Sequence, residues 1–117
     1  MGDCVFCQIV AGEAPATIVR RWADAIAIVP LDPVVVGHRL VIPRRHVDDA
    51  ACDLTLTGAM AAHAADLALD LESCNLITSV GAPATQTIRH LHWHVVPRVA
   101  GDGLALPWTG QVTTDGR

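Results

Sequence analysis

Asp53-Leu54-Thr55-Leu56-Thr57-Gly58-Ala59-Met60-Ala61-Ala62-His63-Ala64-Ala65-Asp66-Leu67-Ala68-Leu69-Asp70-Leu71-Glu72-Ser73 is the one long helical pattern in the chain. From Asp53 or Thr55 to Ser73, the residues Leu56, Met60, Ala64, Leu67 and Leu71 recur four, four, three and four apart, a spacing that lines one face of a helix. His63, Asp66, Asp70 and Glu72 fall largely off that stripe and read as solvated. Upstream, Thr17–Arg20 and Ala25–Val29 are short apolar runs around the turn-like Trp22-Ala23-Asp24, which predicts a hairpin. Pro30 and Pro33 remove ladder donors and break the pattern until Arg39–Ile42 resumes it, ending at Pro43. Cys4 to Gly12 reads as a short helical turn closed by glycine. Downstream, Asn75–Val80 reads as a fourth strand, Gly81-Ala82-Pro83-Ala84 as a loop and Ile88–Val96 as a fifth strand. Strands, one helix and strands again predict an α+β domain: a five-stranded antiparallel sheet, one long central helix and a short N-terminal helix.

The 117 residues suit a single domain, and 51% apolar against 17% charged residues places the chain among well-packed globular proteins. A formal charge of −4 argues against a general nucleic-acid binder. Met1-Gly2-Asp3-Cys4 carries neither a basic nor an apolar leader pattern and no apolar run approaches a membrane span, so a cytoplasmic location is expected. In that compartment Cys4-x-x-Cys7 points to metal or redox chemistry rather than a disulfide framework, while Cys52 and Cys74 read as small buried apolar residues. Residues 1–103 read as the domain proper. Leu104, Leu106, Pro107 and Trp108 make the stretch 104–117 too apolar for a free tail, and it is expected to pack on the domain or on a second chain.

Chemistry concentrates in His90-Leu91-His92-Trp93-His94. On a strand these three imidazoles share one face while Leu91, Trp93 and Val95 take the other. Their Cα atoms then stand ~6.6 Å apart, close enough for adjacent rings to share a phosphate-sized ligand. A neutral imidazole is nucleophilic near neutral pH; three together could alternatively ligate a catalytic metal. A partner-binding module without catalysis is the remaining alternative.

His90-Leu91-His92-Trp93-His94-Val95-Val96 resembles the signature of the histidine triad (HIT) family. The likeness extends to Cys4-Val5-Phe6-Cys7 through Pro15, to Gly37-His38-Arg39-Leu40-Val41-Ile42-Pro43-Arg44-Arg45-His46, and to Gln86-Thr87 ahead of the triad. The run from Gln86 to Asp102 is similar to the fragile-histidine-triad branch, and the CxxC opening to bacterial Hint-type proteins.

The resemblance implies a nucleotide hydrolase or transferase that cleaves the α-phosphate bond of a nucleoside phosphoramidate or dinucleoside polyphosphate, a purine nucleotide being the expected substrate. Carried over residue by residue, His92 is the nucleophile that forms a nucleotidyl-histidine intermediate, the carbonyl of His90 accepts its ring proton, and His94 donates toward the phosphate. Gln86 and Thr87 become phosphate donors and His38 a supporting residue. Ser79 occupies the place of a familial Asn or Gln. Pro30 stands where the family has a ribose-binding acid, which leaves Asp32 as a possible substitute. The resemblance also implies a structural zinc on Cys4, Cys7, His46 and His90, no organic cofactor, and a homodimer; open sheet edges favour pairing on their own account.

Overall fold

Asp53 starts the long helix by accepting the Leu56 N–H at 2.9 Å with its carboxylate, the bond that best replaces a missing intrahelical partner. In the computed structural model, which describes residues 4–109, the order is α1 (Val5–Val10), β1 (Ile18–Arg21), β2 (Ala25–Ile28), β3 (Arg39–Pro43), α2 (Leu54–Ala68), β4 (Cys74–Ile77), a 3-10 turn (Ala82–Ala84) and β5 (Trp93–Pro97). The five strands form one antiparallel sheet in the order β1-β2-β3-β5-β4. The expected α+β architecture with its two helices is therefore present.

Strand alternation divides the core into two layers. Ala25, Ala27, Val41 and Val95 face α2, where Met60 and Ala64 are fully buried against them. Ile26, Ile28, Leu40 and Ile42 face the other way, onto Phe6 and Ile9 of α1. Both faces of the inner strands are covered, so their sequences are continuously apolar.

The structure corrects three boundaries. α2 ends at Ala68, where Leu69 and Leu71 turn back onto Asp66 and Ala68 through their N–H groups, because the chain must reach the sheet edge by Cys74. β4 stops at Ile77 rather than Val80. β5 begins at Trp93, not Ile88: the Pro43 carbonyl accepts from the His90 ring and the Leu91 N–H goes to the Val47 carbonyl, so no ladder forms there. Leu91 nevertheless packs into the α2 layer with Val95, and the alternation of faces survives outside the strand. Of the stretch 104–117, residues 110–117 lie outside the described residues. Leu104 folds back on its own chain, its carbonyl accepting from Arg98 at 2.9 Å.

Candidate active site

His92 sits just before β5, with Phe6 of α1 edge-on to its ring at 5.3 Å. Its Nδ1 lies 2.8 Å from the His90 carbonyl oxygen. A carbonyl only accepts, so Nδ1 carries the proton and Nε2 keeps its lone pair. The Thr78 hydroxyl donates to the His92 carbonyl at 2.7 Å and anchors the segment to the end of β4. Burial pushes the His92 imidazole below its ordinary value despite the carbonyl bond, which keeps the lone pair free at neutral pH.

A second set of bonds fixes His94. The Val34 N–H donates to His38 Nδ1 at 3.2 Å, so His38 carries its proton on Nε2. That group meets His94 Nδ1 at 3.0 Å. His94 must then accept at Nδ1 and present an N–H at Nε2. Burial, then His92 and His38, push His94 down to about 4; burial, then the Arg39 guanidinium, lower His38. Both rings are neutral near pH 7, and the site offers one nitrogen lone pair beside one N–H donor, with the two rings 5.1 Å apart.

Beside His94 lies a cavity of about 270 Å³ that His38, Ser79 and Thr85 also line. Thr85 occupies the left-handed region at φ 71°, a costly conformation for a β-branched residue. No pattern in the sequence marks it.

His90 turns the other way. Its Nε2 donates to the Pro43 carbonyl at 2.9 Å, and its Nδ1 faces Cys4 Sγ at 3.4 Å, Cys7 Sγ at 3.5 Å and His46 Nδ1 at 3.1 Å. Cys7 Sγ stands 3.3 Å from His46 Nδ1, whose other nitrogen donates to Asp48 at 2.9 Å. Both Nδ1 atoms are thus lone pairs aimed at each other and at two thiols. The four ligand atoms lie within 4.8 Å of one another. A tetrahedral zinc with sulfur at ~2.3 Å and nitrogen at ~2.0 Å spaces neighbouring ligand atoms by roughly 3.3 to 3.8 Å. The donor set fits such an ion, and the Pro43 carbonyl and Asp48 hold both imidazoles in the ligating tautomer.

The family model described as HIT domain matches residues 11–101. This chain belongs to the HIT family. It is 36% identical over 110 residues to an uncharacterised HIT-like protein of Mycobacterium tuberculosis, covering 88% of this chain and 76% of that protein. A similar structure is a Zn-bound histidine triad family protein from Mycobacterium smegmatis: 38% identity, TM-score 0.82, 89% of this chain and 81% of that one. The adenylylsulfatase HINT3 of Arabidopsis thaliana is 33% identical over 112 residues, 87% of this chain but 55% of its own length.

Within this HIT domain the remaining expected site residues divide. Ser79 stands in the cavity with His94 and His38. Gln86 is buried, and its amide nitrogen donates to the carbonyls of Asp48 at 2.7 Å and Ile88 at 3.1 Å while its oxygen accepts the Gly81 N–H. Both of its amide hydrogens are engaged within the chain, which braces the loop ahead of His90. Thr87 is exposed and lines a separate hollow with Cys4, His46 and Arg89 on the side of the cysteine cluster. Asp32 is exposed in the loop between β2 and β3 and is absent from the lining of the His94 cavity. No helix among the described residues is long and apolar enough to cross a membrane.

Proposed function

We propose that this HIT protein is a nucleotide-binding hydrolase or transferase acting through a covalent nucleotidyl-histidine. His92 Nε2 attacks the α-phosphorus of a nucleoside phosphoramidate or dinucleoside polyphosphate. A P–N bond forms, the bond to the leaving group breaks, and water or another acceptor then displaces the histidine. The observation that carries this reading is the 2.8 Å bond from His92 Nδ1 to the His90 carbonyl, which aims the ring and sets the tautomer the attack requires. His94, held as a neutral donor by His38, offsets charge on the departing atom. Cys4, Cys7, His46 and His90 would hold a structural zinc that ties α1 to the segment bearing the nucleophile; the ion supplies rigidity, not chemistry.

A metalloenzyme using the three histidines together is disfavoured, since the His90 ring faces the cysteines and the Nδ1 atoms of His92 and His94 are bonded elsewhere. The test is rapid quench with radiolabelled adenosine phosphoramidate. Acid-labile label on His92 is expected. Nucleotide binding with neither label nor turnover would reduce the protein to a silent binding module.

A further inference from the structure

The cysteine cluster is open on one side. His90 is fully buried, but Cys4, Cys7 and His46 are only half-buried, and a hollow of about 450 Å³ opens onto Cys4 and His46. Asp48 and Arg89 stand together in its lining, 3.6 Å apart, so the hollow carries charge of both signs and turns away neither an anion nor a cation. Cys7 is absent from that lining. The two thiols therefore differ in access: Cys4 faces the opening, and Cys7 lies behind it, 3.3 Å from His46 Nδ1.

The two are also placed to react with each other. Cys4 and Cys7 sit one turn apart at the start of α1 with their sulfurs within 4.8 Å, and the Cys7 N–H donates to Cys4 Sγ at 3.4 Å. A hydrogen bond to sulfur favours the thiolate, the form that attacks a disulfide. A purely structural zinc requires four donors in a closed shell; it requires neither an open face nor two thiols of unequal access.

We propose that Cys4 and Cys7 form a reversible oxidation site at which a small-molecule disulfide displaces the zinc. The Cys4 sulfur attacks one sulfur of the incoming disulfide: a mixed disulfide forms on Cys4, the reagent's S–S bond breaks, and one thiolate leaves with the electron pair. The Cys7 sulfur then attacks Cys4, closing the Cys4–Cys7 bond and expelling the second thiolate. The cysteine pair has lost two electrons and the reagent has gained two. His46 and His90 alone hold the ion too weakly to keep it, and Zn2+ is released with its charge unchanged. The Nδ1 lone pairs of those two rings, 3.1 Å apart, then repel, and α1 loses its tie to the segment bearing His92. The proposal rests on the metal reading above.

The test treats zinc-loaded wild-type protein with glutathione disulfide in the presence of a metallochromic dye. Release of one zinc per chain is expected, with a Cys4–Cys7 disulfide in the peptide map and faster hydrogen exchange across α1. Dithiothreitol with added zinc should reverse all three. Cys7→Ser stops the sequence after its first step and should retain glutathione on Cys4. In Cys4→Ser, capture on Cys7 should be at least about tenfold slower, since access governs exchange. Adducts on the exposed Cys52 are mapped as separate peptides. Zinc retained under the disulfide, zinc released with no Cys4–Cys7 bond, or α1 exchange that ignores oxidation overturns the switch and leaves the metal reading standing. Protein that binds no zinc refutes the metal reading, and the switch falls with it.

Discussion

His92→Gly removes the ring whose Nδ1 proton the His90 carbonyl accepts. Turnover should fall by at least about 10³-fold, the scale on which loss of an activated nucleophile registers, while AMP affinity in equilibrium dialysis changes little. His94 gives a pH signature. Its value of about 4 in the fold lies below the ordinary ~6.5 of an unfolded chain, so the unfolded state binds more protons between those limits. The stability His94 contributes is complete above pH 6.5 and is lost as pH falls toward 4. NMR of the ring should show no titration of His94 from pH 8 to 5, and denaturant midpoints should decline with less slope in His94→Asn than in the wild type. Thr85 makes a third test: Thr85→Gly relieves the positive φ and should stabilise by about 1 kcal/mol in urea melts. If its hydroxyl serves the cavity, turnover drops at the same time.

Between α1 and the segment before β5, a zinc on Cys4, Cys7, His46 and His90 would take the place of a ladder. Cys7→Ser should release the ion and lower the melting temperature; with zinc 100-fold above its Kd, binding is worth about 2.7 kcal/mol to the fold. One zinc per chain by elemental analysis is the expected stoichiometry, and an unchanged melt in Cys7→Ser would refute the structural role. This is also where the sequence was hardest to read. The apolar alternation of β2 and β3 and the period of α2 are set by burial, and each element appears within a few residues of its expected bounds. Ile88–Leu91 has the same pattern yet stays out of the sheet, because its polar groups find non-sheet partners at Pro43 and Val47; hydrophobic period cannot report where a carbonyl goes. For the same reason His92 and His94 could be picked out by type and spacing, whereas the Gln86 clamp and the placement of Thr87 and Thr85 depend on a loop whose path has no periodic code.

At the scale of the whole molecule, β1 and β4 leave the sheet with two edges. β4 offers Leu76 at its surface, and Leu69 at the end of α2 is 81% exposed. We expect two copies to pair there, giving twice the 12.4 kDa chain mass in sedimentation at micromolar concentration; a clean monomer rejects this. Trp108, 61% exposed, should then matter to the pair, and Trp108→Ala should raise the dissociation constant. The strand order has one further consequence, in time rather than space. β5 follows every other strand in the chain, yet it lies between β3 and β4. Before β5 is made, a growing chain would have at most a three-stranded meander and an unattached β4, with no strand to join them and with the inner edge of β3 bare. Only when Trp93–Pro97 clears the ribosome can the two pieces close, and the same event brings His90 to the cysteines and His92 to Phe6. Nascent chains stalled before β5 should be open to protease and chaperone-bound, and they should become resistant together with the appearance of the metal site.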